Sequence, residues 1–245
     1  MVCLIPIILG FLIPVLFIIN NVIYEFSRID FIKVFNLTTN TVIISLIATL
    51  IILVIAVYFQ FLKRILKNRT ITFFNEVISL TYALPGAVIG LSLILLFTSY
   101  PFENELLIGS FGILVYAYVI RYMAVGISPL KSSFDKHPSS YDDTAFNLGM
   151  GPTKLFRSIH LPINKSAIAI AFLITFVDII KELPITLILR PFNFDTLAVQ
   201  TYEYAIEEMI PKSSIYSLAI VMLGTILLIF LKKIVNKEID VPKSK

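Results

Sequence analysis

A chain of 245 residues that is 58% hydrophobic and 15% charged, with a mean hydropathy of +0.91, is too apolar for an ordinary water-soluble domain. Its charges cluster between long apolar runs, so the net charge of +4 records membrane orientation rather than nucleic-acid binding. One cysteine, Cys3, excludes an intrachain disulfide, and with only His137 and His160 beside it no Cys/His metal cluster can form.

The first apolar run, residues 2–23, lacks a basic leader and a small-residue cleavage site, so it reads as a span and not a signal peptide. Five more runs follow, at 41–61, 75–98, 106–127, 166–189 and 213–231. About 20 residues of helix cross a bilayer. Only a helix satisfies its own backbone there, and the alternation of a membrane barrel is missing. The expected fold is all-α, with six transmembrane helices in one domain. In the third run Pro85 and Gly86 predict a kink, and Gly90 a close helix approach. Arg121, near one end of the fourth run, reads as a structural side chain that snorkels.

Fourteen of the 20 Lys and Arg lie in the connections 62–74 and 128–165 or beyond residue 231. Only Arg28, Lys33, Arg190 and Lys212 occupy the opposite side, with Glu103, Glu105, Glu203, Glu207 and Glu208. The bias predicts cytoplasmic termini and a cytoplasmic 128–165 insert.

That insert is the longest connection. Ser139 or Ser140 is placed to N-cap a helix whose first turn holds Asp142 and Asp143. Tyr141, Ala145 and Leu148 fall on one face. Gly149 suits a left-handed helix end, and Pro152 the first turn of a second helix. Leu155, Phe156 and Ile159 share a face until Leu161-Pro162 ends it. Two helices this short need something to pack on. A surface helix on the bilayer or on the protein's own spans, and a docking element for a partner, are both open on these grounds.

Asp143-Thr144-Ala145, then Gly149, Ile159 and Leu161-Pro162, resemble the "EAA" loop of ABC-transporter permeases. The spacing matches, with Asp for Glu and Thr for the first Ala. The resemblance implies a coupling loop over about 139–162 that docks on a separate ATP-binding subunit. Asp143, Thr144, Ala145 and Gly149 would lie at the heart of that contact, with Tyr141, Phe146 and Leu148 as apolar anchors. "GMGPTK" fails the phosphate-loop template, so the chain itself has no ATPase motif and is not expected to be an enzyme or to hold a cofactor.

Asp178, Lys181 and Glu182 fall near the middle of the fifth run, where each charge costs at least about 2.5 kcal/mol facing lipid. Lys181 is expected to offset both carboxylates, and Pro184 to open the helix beside them. The group reads either as a structural network or, with Pro184, Pro85 and Gly86, as the translocation path or gate. A rival class of function uses the same three charges as the relay of an ion-gradient carrier. Beyond them Asp195, Tyr202, Glu203, Tyr204, Glu207 and Glu208 suit either a hard cation or, more simply, a docking rim for a substrate-delivery protein.

"KELPITLILRPFNFDTLAVQTYEYA" and "YALPGAVIGLSLILLF" resemble the ferric-iron branch of these permeases. That implies an inner-membrane subunit for iron uptake, served by a substrate-binding protein. Thiamine, phosphonate, sulfate and polyamine permeases share the architecture. Members of the iron branch usually carry two six-span halves, and this chain resembles the second. A split-gene product, a truncated remnant and a half that pairs with another chain or a second copy all fit.

Overall fold

The computed structural model describes residues 4–99 and 109–239, and these are helical with no strand among them. The expected residues 2–3 and 106–108 of the first and fourth spans, with Glu103 and Glu105, lie outside the described residues. Helix α1 runs over Ile5–Arg28. Helix α2, Phe31–Leu66, starts where the Asp30 carboxylate accepts the Lys33 N–H at 2.9 Å and ends at left-handed Lys67. Its 36 residues reach about 54 Å, well beyond a 30 Å hydrocarbon core.

Helices α3 (Arg69–Ala83) and α4 (Gly86–Ser99) replace the expected third span. They meet at 110°, a corner rather than a kink. Leu84 is extended, with ψ 131°, because the ring of Pro85 crowds a helical predecessor. Helix α5, Phe111–Lys136, is capped by Ser110 and continues through Pro129, nine residues past the expected end of the fourth span. The polar insert therefore begins at His137.

The insert folds as α6 (Ser140–Asn147) and α7 (Pro152–Ile163). Ser139 precedes α6 in helical backbone and makes no capping bond, contrary to the expectation for it or Ser140. Helix α7 ends at Ile163, one residue past Leu161-Pro162. A wide π-turn over Phe156–His160 carries the chain past the missing Pro162 donor, and the 69° bend falls at Asn164. Helix α8, Lys165–Ile180, then stops at Lys181. Pro184 begins a separate helix α9, Pro184–Leu189, so the fifth run is also broken. The expected outer loop contains helix α10, Leu197–Ile206, with Leu197 and Val199 fully buried. Helix α11 covers Ile210–Ile239.

Helices α2, α5 and α8 pack on one another as the core, through small residues such as Ala48, Ala56, Ala117 and Ala171. Helix α9 packs on α4, α10 on α11, and α11 on α1. Helix α1 leaves nearly all its side chains outward, as a lipid-facing helix does. Among the described residues four helices, α1, α2, α5 and α11, are long and apolar enough to cross a membrane. Counting the bent pairs α3–α4 and α7–α8 as one span each gives six.

Candidate functional site

Two clusters of polar side chains stand out from the apolar framework. The first surrounds α6. Its end is a Schellman turn: Gly149 N–H bonds the Phe146 carbonyl at 2.9 Å, and Met150 N–H bonds the Ala145 carbonyl at 3.0 Å. Gly149 takes φ +75°, which a side chain resists. The helix buries Ala145 against Phe61, Phe134 and Leu155. Ala145 thus faces inward, away from any outside partner, although the resemblance grouped it with the contact residues. The expected face of Tyr141, Ala145 and Leu148 is not a buried one either: Tyr141 is 47% and Leu148 74% exposed. Asp142 and Ala145 form the inward face instead. Asp143, Thr144, Phe146 and Gly149 are exposed, so α6 presents two short polar side chains between aromatic and aliphatic ones.

The Asp142 carboxylate is the anchor of α6. Its Oδ2 accepts Arg64 Nε at 2.6 Å and its Oδ1 meets His160 Nε2 at 2.8 Å. A carboxylate only accepts, so Nε2 carries the proton. Burial, together with the Arg64 charge, lowers the His160 pKa against the opposing pull of Asp142 and keeps the ring neutral near pH 7. The ring stacks on Phe134 at 5.5 Å and meets Phe61 edge-on at 5.3 Å. Sequence reasoning missed this trio. No signal within the insert pointed to it, since Arg64 lies 78 positions from Asp142.

The second cluster joins the two helix breaks. Glu182, 5% exposed, accepts the Ile185 N–H through Oε1 at 3.0 Å, at the positive end of α9. Its Oε2 accepts the Tyr122 hydroxyl and lies 3.5 Å from Arg121 Nε. Arg121 Nη1 in turn donates to the Leu84 carbonyl at 2.5 Å, at the α3–α4 corner beside Pro85. A Cβ on Gly86 would come within 2.8 Å of Glu182 Oε1, so only glycine admits the carboxylate there. Lys181 does not serve both acids as expected. It pairs with Asp178 at 2.8 Å and is largely exposed, while Glu182 turns to Arg121 because the helix stops between them. Asp178 borders a cavity of about 490 Å³, lined also by Ser79, Tyr82, Ser128, Pro129 and Lys131. Arg121, read as a snorkelling side chain, holds the two breaks together.

On the far side Arg190 bonds Asp195 and, at 2.8 Å, Glu203. Tyr204 stacks on Tyr216 and accepts Lys33 Nζ at 3.3 Å. Tyr202, Glu207 and Glu208 are exposed. Among the described residues no three His, Cys, Asp or Glu side chains are grouped to hold a metal ion.

Comparison with known proteins supplies the setting for this geometry. Residues 64–241 match the family described as binding-protein-dependent transport system inner membrane component. The chain is 26% identical over 204 residues to the Fe(3+)-transport system permease protein FbpB 2 of Haemophilus influenzae, covering 83% of this chain and 40% of that protein. It is 32% identical over 94 residues to the maltose/maltodextrin transport system permease protein MalG of Escherichia coli K12, covering 38% of this chain and 31% of MalG. The MalG of Photorhabdus laumondii is 31% identical over 94 residues, with 38% and 31% covered. The chain thus spans well under half the length of these curated relatives.

Proposed function

The chain belongs to the binding-protein-dependent transport system inner membrane components, an ABC-transporter permease family, and from that premise we propose that it is the membrane subunit of an ATP-driven importer. It lies in a bacterial inner membrane with both termini cytoplasmic. An ATP-binding subunit docks on α6, a second permease half completes the pathway, and a substrate-binding protein delivers from the opposite side. One observation carries this reading: α6 is fixed from beneath by Asp142 and Ala145 while Tyr141, Asp143, Thr144, Phe146, Leu148 and Gly149 stay outward. A short helix so held transmits a push. Asp178, Lys181, Glu182, Pro184, Pro85 and Gly86 then line or hinge the pathway, since both helix breaks meet at the Arg121–Glu182 pair.

The substrate favoured is ferric iron, supported by the similarity to FbpB 2 over most of the chain. The shorter MalG similarity supports a second reading, in which the permease serves another cargo. An ion-gradient carrier is less well supported, because Glu182 and Lys181 take separate partners.

The test is reconstitution of the chain with its ATP-binding subunit, partner half and binding protein. Gly149→Val strains φ +75° and should cut uptake per ATP hydrolysed at least tenfold while the spans stay folded. Normal coupling in that variant would overturn the docking role. ATP hydrolysis stimulated by maltose-loaded but not ferric-loaded binding protein would overturn iron.

A further inference from the structure

Arg64 has more polar partners at the α6 end than any other side chain described there. It projects from the last turn of α2, with its side chain 11% exposed. Nε donates to Asp142 Oδ2 at 2.6 Å. Nη1 donates to the carbonyls of Phe134 at 2.6 Å and His137 at 2.9 Å, and Nη2 to that of Pro138 at 2.7 Å. The three carbonyls are the unsatisfied end of α5 and the start of the link to α6. One guanidinium therefore closes the end of α5, holds the link, and grips the first turn of α6.

We propose that Arg64 is the positioning residue that makes α6 move as one body with α2 and α5, so that a displacement of α6 reaches the spans without being absorbed in the 137–139 link. The proposal rests on the docking role of α6 stated above, but the anchoring itself does not. The planar fork is what the geometry requires. Four acceptors on three segments are met by donors fixed in one plane, and a lysine ammonium offers three donors from a single point. The apolar cluster of Phe61, Phe134, Ala145 and Leu155 lies beneath α6, and it resists separation without fixing direction. The Arg64–Asp142 contact adds direction, and His160 on the other Asp142 oxygen ties the same carboxylate to α7. The neighbouring Lys63–Asp135 pair, at 3.8 Å with Asp135 60% exposed, joins α2 to α5 only and leaves α6 untouched.

The test is amide hydrogen exchange on the full chain in lipid nanodiscs, for wild type, Arg64→Gln and Arg64→Lys, alone and with the ATP-binding subunit and nucleotide. Arg64→Gln should raise exchange over 140–147 about tenfold while 44–57 and 113–127 keep their protection. Arg64→Lys should recover little of it despite retaining the charge. In the assembled transporter, a nucleotide-dependent change in protection at 178–186 should be lost in Arg64→Gln although the subunit stays bound. Unchanged exchange over 140–147, full rescue by lysine, or an intact nucleotide response in Arg64→Gln would overturn the proposal. If no ATP-binding subunit associates with the wild-type chain, the docking role of α6 falls, and with it the transmission of a displacement to the spans. The anchoring is still decided by exchange over 140–147.

Discussion

At the scale of single residues, the buried Glu182 carboxylate sits where a helix fails to continue. Gly86 shows how tight that place is. The missing side chain leaves room for the Glu182 carboxylate, with Ile185 Cγ1 and Arg121 Nη1 at 3.2 and 3.3 Å from where a Cβ would sit. Gly86→Ala should therefore destabilise the fold by about 1–3 kcal/mol, the usual cost of overpacking, and push Glu182 away from α9. Gly151 is the control, since a Cβ there meets nothing within 4 Å and its φ is −74°. Denaturant unfolding in detergent that leaves both alanine variants equal to wild type would sink the close-approach argument. Glu182 was visible in the sequence as a charge that must find a partner, but its partner was not. Lys181 was nearest in sequence, and only the break after Ile180 sends the two side chains apart.

At the scale of elements, local chemistry was legible wherever it acts within a few residues. Gly149, Pro152 and the apolar face of Leu155, Phe156 and Ile159 behave as their types and spacing dictate. Pro85 and Pro184 marked the broken helices, though hydropathy could not convert a break into a 110° corner or a separate helix. Such angles depend on a third element, here the Arg121 side chain of α5 reaching the Leu84 carbonyl. The attachment of α6 was illegible for the same reason, since Arg64 and Asp142 lie 78 positions apart. That attachment should depend on pH. His160 has its pKa lowered in the docked state, while a released, solvated histidine titrates near 6.5. Below about pH 6.5 the released state takes up protons more readily, so docking weakens as pH falls and is complete above that value. Arg64 opposes protonation and Asp142 favours it, with burial tipping the balance to the neutral ring. Protection over 140–147, measured against the intrinsic exchange rate at each pH, should fall between pH 7.5 and 5.5 in wild type and stay flatter in His160→Gln. A pH response identical in that variant would assign the effect to another group.

At the scale of the whole molecule, the two ends differ in how their charges are committed. At the α6 end Arg64, Asp142 and His160 are largely buried and paired with one another. At the opposite end Arg190 engages Asp195 and Glu203, which removes those two carboxylates from the set first considered for a hard cation. Glu207 and Glu208 remain exposed beside Tyr202, on the turn between α10 and α11. Exposed carboxylates that hold no fixed geometry suit a rim that steers a basic surface toward it, an effect carried by association rate and weakened by salt. Glu207→Gln with Glu208→Gln should therefore slow capture of the substrate-binding protein several-fold at low ionic strength and leave it nearly unchanged at high salt. Surface-plasmon measurements on the nanodisc-embedded transporter read this directly. A cation site made by the same residues predicts the opposite pattern. Capture would persist, and ferric iron bound in the absence of any binding protein would fall. The salt dependence of one double variant thus decides whether this end recognises a protein or the cargo itself.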